Sequence, residues 1–178
     1  MSLPEQLFAR LKPSIDALAT SLFDASRQRL ITQGRCLPHA ATQDALSHIA
    51  MLGTDPEQFP NGRDRTTQIM LYLHCMLRAR VRQRAVAALA IAETVTITPQ
   101  GRPRTSAIKV LYEHQSGLAV ALYMPFKKRL LGGYVFGEVM TFSAEGEVNP
   151  WATLRSAQRP SASLGNAGTA ASGAAMGA

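Results

Sequence analysis

Near residue 90 the spacing of apolar side chains changes from about one in 3.6 to one in two, and no motif in the chain constrains its fold as much. Before that point Leu7, Leu11, Ile15, Leu18 and Leu22 recur at intervals of three and four, with Phe8 and Phe23 beside the stripe. After it, Ile91, Val95 and Ile97 are separated by Thr94, Thr96 and Thr98. Helical patterning followed by strand patterning, without alternation of the two, predicts an α+β fold rather than α/β.

In the helical part, Ser2 with Glu5 three residues on reads as a capping box. Pro13 removes a backbone donor inside the stripe, so a kink or a junction of two helices is expected there, the second running to about Gln33 and stopping at Gly34. Thr42 is placed to cap a short helix carrying Leu46, Ile49 and Leu52 and ended by Gly53. Residues 54–64, TDPEQFPNGRD, are turn-rich and form a connector. Asp64 then caps a long helix through 66–90.

Strands are expected at about 91–98, 106–114, 118–124 and 134–142, and their short separations favour hairpins. The expected architecture is a helical layer packed on a four-stranded antiparallel meander: one domain over 1–156, helical through 90 and sheet over 91–142. Residues 157–178 are Ala-, Gly- and Ser-rich, bury too little to offset their ordering entropy, and are expected to be a disordered tail.

The second hairpin can be resolved by parity. A three-residue loop, Gln115-Ser116-Gly117 with Gly117 left-handed, sets Tyr112 against Val120, Val110 against Leu122 and Ile108 against Met124 on one apolar face. A loop one residue shorter or longer mixes the faces. In the favoured register Glu113 and His114 lie on opposite sides of the strand and cannot form an acid/base dyad. The second face carries Lys109, Leu111, Glu113, Ala119, Ala121 and Tyr123, and suits a ligand platform, a solvated surface or the seat of another helix.

The strand ending Glu113-His114, the turn glycine, the strand ending "MPFKK" and the following "YVFGEVM" resemble a group of small uncharacterised bacterial proteins over about residues 90–142. That resemblance implies an α+β shape; the group has no assigned activity and transfers no catalytic residue.

No catalytic spacing stands out: there is no nucleophile elbow, no HExxH and no paired carboxylate, and Cys36 and Cys75 are isolated. No metal or cofactor is therefore expected. His39, His48 and His74 read as structural histidines. Lys109, Glu113, Tyr123 and Glu138 are the candidate ligand-binding residues, with Glu138 the one whose carboxyl would be perturbed if buried. The net charge of +7 comes chiefly from residues 60–105, where eight Arg face Asp64 and Glu93. On a helix Arg78 and Arg82 share a side while Arg80 and Arg84 lie nearly opposite, so no single basic stripe results. Arg78 and Arg82, with Lys127, Lys128 and Arg129 of "PFKKRLLGG", are the candidate contacts to nucleic acid or an acidic partner.

No run approaches the roughly 20 apolar residues of a membrane span, and the N-terminus lacks a basic region before an apolar core, so a cytoplasmic protein without membrane contact is expected. These readings favour a non-enzymatic binding or regulatory module acting through a protein partner or a second copy. The alternatives are a nucleic-acid binder using the Arg-rich helix, and an enzyme with its site on the sheet face.

Overall fold

A computed structural model describes residues 3–83, 85–99, 101 and 103–151. It is α+β. Helix α1 (Leu3–Gln33) is followed by strands β1 (His39–Asp44) and β2 (Ile49–Leu52), helix α2 (Arg65–Gln83), and strands β3 (Val86–Ile97), β4 (Thr105–His114), β5 (Ala119–Lys128), β6 (Tyr134–Phe136) and β7 (Met140–Ser143). The strands form one antiparallel sheet of seven, ordered β2-β1-β3-β4-β5-β6, with β7 also paired to β5. The expectation of four strands is corrected upward. The Ser2 cap, Arg84 and the tail at 157–178 lie outside the described residues.

Helix α1 runs unbroken through Pro13. Pro13 and Ala9 both face solvent, so water can reach the carbonyl that loses its partner and the helix continues. Its buried stripe, Ile15, Leu18, Ala19, Leu22, Phe23 and Leu30, seats on Ala88, Ala90 and Ala92 of β3 and on the Ile108, Val110, Tyr112, Val120, Leu122 and Met124 face of the β4–β5 hairpin. The helix ends where Gly34 turns left-handed (φ 69°) and its N–H donates to Leu30 O.

Two helical expectations fail. The segment around Thr42 is a β-hairpin, because the Asp44 carboxylate accepts the N–H groups of Leu46 (2.8 Å) and His48 (2.9 Å) while Ser47 adopts φ 67°. The second helix stops at Gln83 instead of residue 90, and Val86 starts the central strand β3. The run VAALAIA is covered on both faces, by α1 over the alanines and by α2 over Leu89 and Ile91, so burial in the sheet outweighs the helix propensity of Ala. Asp64 does precede the second helix, and its carbonyl accepts the Gln68 N–H at 2.9 Å.

The β4–β5 register is the expected one: Ile108 faces Met124, Val110 faces Leu122, Tyr112 faces Val120 and Glu113 faces Ala119. Gly117 is left-handed (φ 94°). Among the described residues no helix is long and apolar enough to cross a membrane.

Candidate functional site

The second face of the sheet is divided in two. Helix α2 covers the β1–β3 side with Ile69, Leu73, Leu77 and Val81, packed on Ala40, Leu52, Leu89 and Ile91 together with Val148 and Trp151. The β4–β5 side, where the sequence places Lys109, Glu113 and Tyr123, lies beyond that helix, and the three residues do different things there.

Glu113 is 3% exposed, and its two carboxylate oxygens accept the N–H groups of Val148 (2.7 Å) and Asn149 (2.8 Å). Its carboxylate thus ties the chain beyond β7 to the sheet. His114 points the other way and accepts the Ser116 N–H on Nδ1 at 3.1 Å, so the acid and the imidazole do not meet. Lys109 donates to Glu93 (3.1 Å), its cross-strand partner, and to Glu147 (2.7 Å). Burial alone would lower its pKa, but the two carboxylates outweigh burial and raise it. Both charged groups are thus occupied in holding the 147–149 segment against the sheet. Tyr123 stands opposite Lys109 and meets Phe142 edge to face at 5.7 Å between ring centroids.

Glu138 lies elsewhere. The expected fourth strand at 134–142 is split: Phe136 pairs with Phe126 and Met140 with Tyr123, so Gly137, Glu138 and Val139 occupy a stretch where β5 spends only Met124 and Pro125. This is a β-bulge with a visible cause. The Pro125 carbonyl accepts the Gly137 N–H at 2.8 Å, but proline has no N–H to return, and the ladder breaks on that side. The bulge puts Glu138 in solvent rather than inside an apolar strand.

Beside the bulge is a half-open cleft of about 810 Å³, lined by Pro99 and Pro103 of the β3–β4 connection, Thr105 of β4, Pro125 to Lys127 of β5, and Val135, Gly137, Glu138 and Met140. The cleft brings together Glu138, a candidate ligand-binding residue, and Lys127, a candidate contact to nucleic acid or an acidic partner. It contains neither Glu113 nor Tyr123. The candidate ligand-binding residues Lys109, Glu113, Tyr123 and Glu138 are thus not assembled around this cleft, which holds only Glu138 of the four. The apolar strip continues past the cleft through Val139 and Phe142, which are 43% and 53% exposed.

The α2 arginines also part company. Arg78 donates Nε to the Val148 carbonyl at 3.0 Å, Arg82 is exposed, and Arg80 lines a smaller hollow of about 320 Å³ with Thr42, Asp44 and His48. Of the histidines, His39 is buried in β1 beside the Leu37 carbonyl and Ser26, and burial pushes its pKa down to about 4. His48 pairs with Asp44 at 3.0 Å. Burial, then Arg78, lowers the His74 pKa. Among the described residues no three His, Cys, Asp or Glu side chains are grouped to hold a metal ion.

Sequence reasoning missed the apolar residues Val135, Val139, Met140 and Phe142 as a site. The available signal was Pro125 inside a strand, which forecasts a break in the neighbour. No family model matches the chain, and no curated protein or solved structure is significantly similar to it.

Proposed function

We propose that the protein is a non-enzymatic binding module that takes an extended, mainly apolar segment of a protein partner along its bulged outer strand. The observation that carries this reading is the apolar outer margin of the second sheet face, where Val135, Val139 and Phe142 remain in solvent beside the cleft while Leu111, Ala119 and Ala121 further in are buried. The edge itself has free hydrogen-bonding groups. Ala144 donates its N–H inward to Ala119, so by strand alternation Phe142 also turns inward while Thr141 and Ser143 direct theirs outward. Among the described residues β7 pairs with no strand but β5. An added strand would gain main-chain hydrogen bonds there, and the cleft would select its alternate side chains. Such a strand comes from a different protein or from a second copy. The nucleic-acid alternative has the net charge of +7 for it and the divergent roles of the α2 arginines against it.

The test is selection of displayed peptides on the full chain, followed by binding to a Thr141→Pro variant, which removes an outward donor and leaves the inner ladder intact. Enrichment of alternating apolar sequences that bind the variant at least tenfold more weakly is the expected result, given the main-chain contribution to strand addition. If no sequence is enriched and the chain stays monomeric at micromolar concentration, the reading fails. It fails equally if the enriched peptides bind the proline variant unchanged.

A further inference from the structure

The β5–β6 hairpin ends in two leucines that pack against no described residue. Leu130 and Leu131 are 106% and 101% exposed, at the central positions of a turn closed by Gly132 N–H to the Arg129 carbonyl (3.2 Å) and Arg129 N–H to the Gly133 carbonyl (3.0 Å). Gly132 supplies the left-handed residue (φ 92°) that this turn requires, so the backbone would accept polar residues at both leucine positions. The fold therefore gives no reason for leucine at either.

The surroundings of the tip are cationic. Lys127, Lys128 and Arg129 are exposed, and among the described residues no carboxylate lies within salt-bridge distance of any of them. From residue 124 to 137 the chain has no Asp or Glu, and neither has the stretch from 98 to 106; exposed Glu138, in the cleft with Lys127, is the next carboxylate along the chain. The pairing of Ser106 with Phe126 sets Pro103 to Thr105 at the same end of the sheet, adding exposed Arg104. The hydrogen bond from Tyr134 Oη to the Gly34 carbonyl (3.2 Å) brings exposed Arg35 close as well.

We infer that this end of the molecule docks on an anionic lipid surface, with Leu130 and Leu131 inserted as a wedge between headgroups and the cations bound to the phosphates and carboxylates around them. The directions of the lysines favour a bilayer over a pocket in a protein partner. Lys127 and Lys128 are consecutive strand residues and leave opposite faces of the hairpin. An acidic patch meeting one face would engage only one of them, whereas a charged plane met end-on engages both and Arg129 as well. An apolar tip projecting into the acyl boundary gains free energy without needing a preformed complementary groove. Contact of this kind needs no membrane-spanning helix, and the proposal departs from the expectation of no membrane contact.

The experiment is flotation of the full chain with vesicles of phosphatidylcholine alone and of phosphatidylcholine with phosphatidylserine. Wild type is expected to float with the anionic vesicles only, and less as salt rises. Leu130→Ser with Leu131→Ser keeps every charge and is expected to weaken binding at least tenfold, from the apolar area withdrawn. Lys128→Gln with Arg129→Gln is expected to weaken it by about fivefold per cation. Leu46→Ser, which removes a leucine 76% exposed at the β1–β2 turn, should change nothing. No flotation at low salt overturns the inference. So does flotation that survives the leucine variant, which would mark Coulombic adsorption of a basic chain. Wild type dimeric without lipid and monomeric as the leucine variant would also overturn it, by giving the wedge to a second copy.

Discussion

At one end of β5 the chain turns through Gln115, Ser116 and Gly117, and at the other through Leu130, Leu131 and Gly132. The hydrogen bonds correspond bond for bond: His114 with Leu118 and Gly117 with His114 in the first, Arg129 with Gly133 and Gly132 with Arg129 in the second. The left-handed glycines agree within two degrees, at φ 94° and 92°. The residue after the glycine differs, since Gly133 is also left-handed (φ 78°) and Leu118 is not, and the tips differ more. The first is polar and satisfies itself, Ser116 donating its N–H to His114 Nδ1; the second is apolar and satisfied by nothing described. The feet differ too, since the first hairpin is gripped on one face by α1 and on the other by Glu113 and the 147–149 segment. The second has aromatic packing among Phe126, Tyr134 and Phe136 on one side and the open cleft on the other. A shared turn with such different ends separates what the fold requires from what it merely permits.

The largest effect is expected where the first hairpin is gripped. Glu113→Ala leaves the N–H groups of Val148 and Asn149 without acceptors, and two charge-assisted hydrogen bonds together are worth about 3 kcal/mol. Urea unfolding should show a loss of that size, against less than about 0.5 kcal/mol for Lys127→Ala near the foot of the second hairpin. A Glu113 variant as stable as wild type would mean that the 147–149 segment is held some other way. Next come the two glycines. Ala at Gly117 or Gly132 must take up a left-handed conformation at a cost of roughly 1 to 2 kcal/mol, and at Gly132 the added Cβ would meet no atom within 4 Å, so the penalty there is conformational alone. Equal losses at the two sites would confirm one device; a much smaller loss at Gly132 would show the outer turn to be loosely held.

Acidification should distinguish the hairpins more gently. The His114 pKa is lowered, chiefly by burial and then by Arg10. A base with a depressed folded pKa binds its proton more readily when unfolded, so the stability it contributes is present above its ordinary pKa and is lost as pH falls toward the folded value. Protonation of Nδ1 would also remove the acceptor that Ser116 uses. Stability measured from neutral to mildly acidic pH should therefore fall more steeply in wild type than in His114→Asn. Parallel curves would show that the polar tip contributes nothing to the pH response.

What could be read in advance follows the same division. The pairing of β4 with β5 was legible residue by residue, because only a loop ending at Gly117 keeps six apolar side chains on one face. The first half of β3 was not, since a strand buried on both faces has no period and VAALA looks like a good helix. The β1–β2 hairpin hid behind the three-residue spacing of Leu46, Ile49 and Leu52; its true signal was Asp44, whose carboxylate builds the turn without a glycine or asparagine. Lys109 and Glu113 could be placed on a face but not assigned a task, because the groups they hold, Glu147 and the 148–149 amides, come from beyond the sheet. The cleft depends on a proline that interrupts its neighbour's ladder and leaves its own strand intact.

The smallest expected effect carries the most weight for the comparison. Leu130→Ser with Leu131→Ser removes two large, fully exposed side chains from a turn whose geometry is set by the left-handed Gly132 and Gly133. Unfolding free energy should move by no more than about 0.5 kcal/mol in either direction, as for other exposed positions. A clear stabilisation would mean that the leucines also bury surface in the unfolded chain and lower its free energy. A clear loss would mean that they pack on something in the folded chain, and the tip would then belong to the core as its counterpart's foot does. An unchanged stability leaves the leucines without any duty in holding the fold, so that whatever they do must be done to another surface.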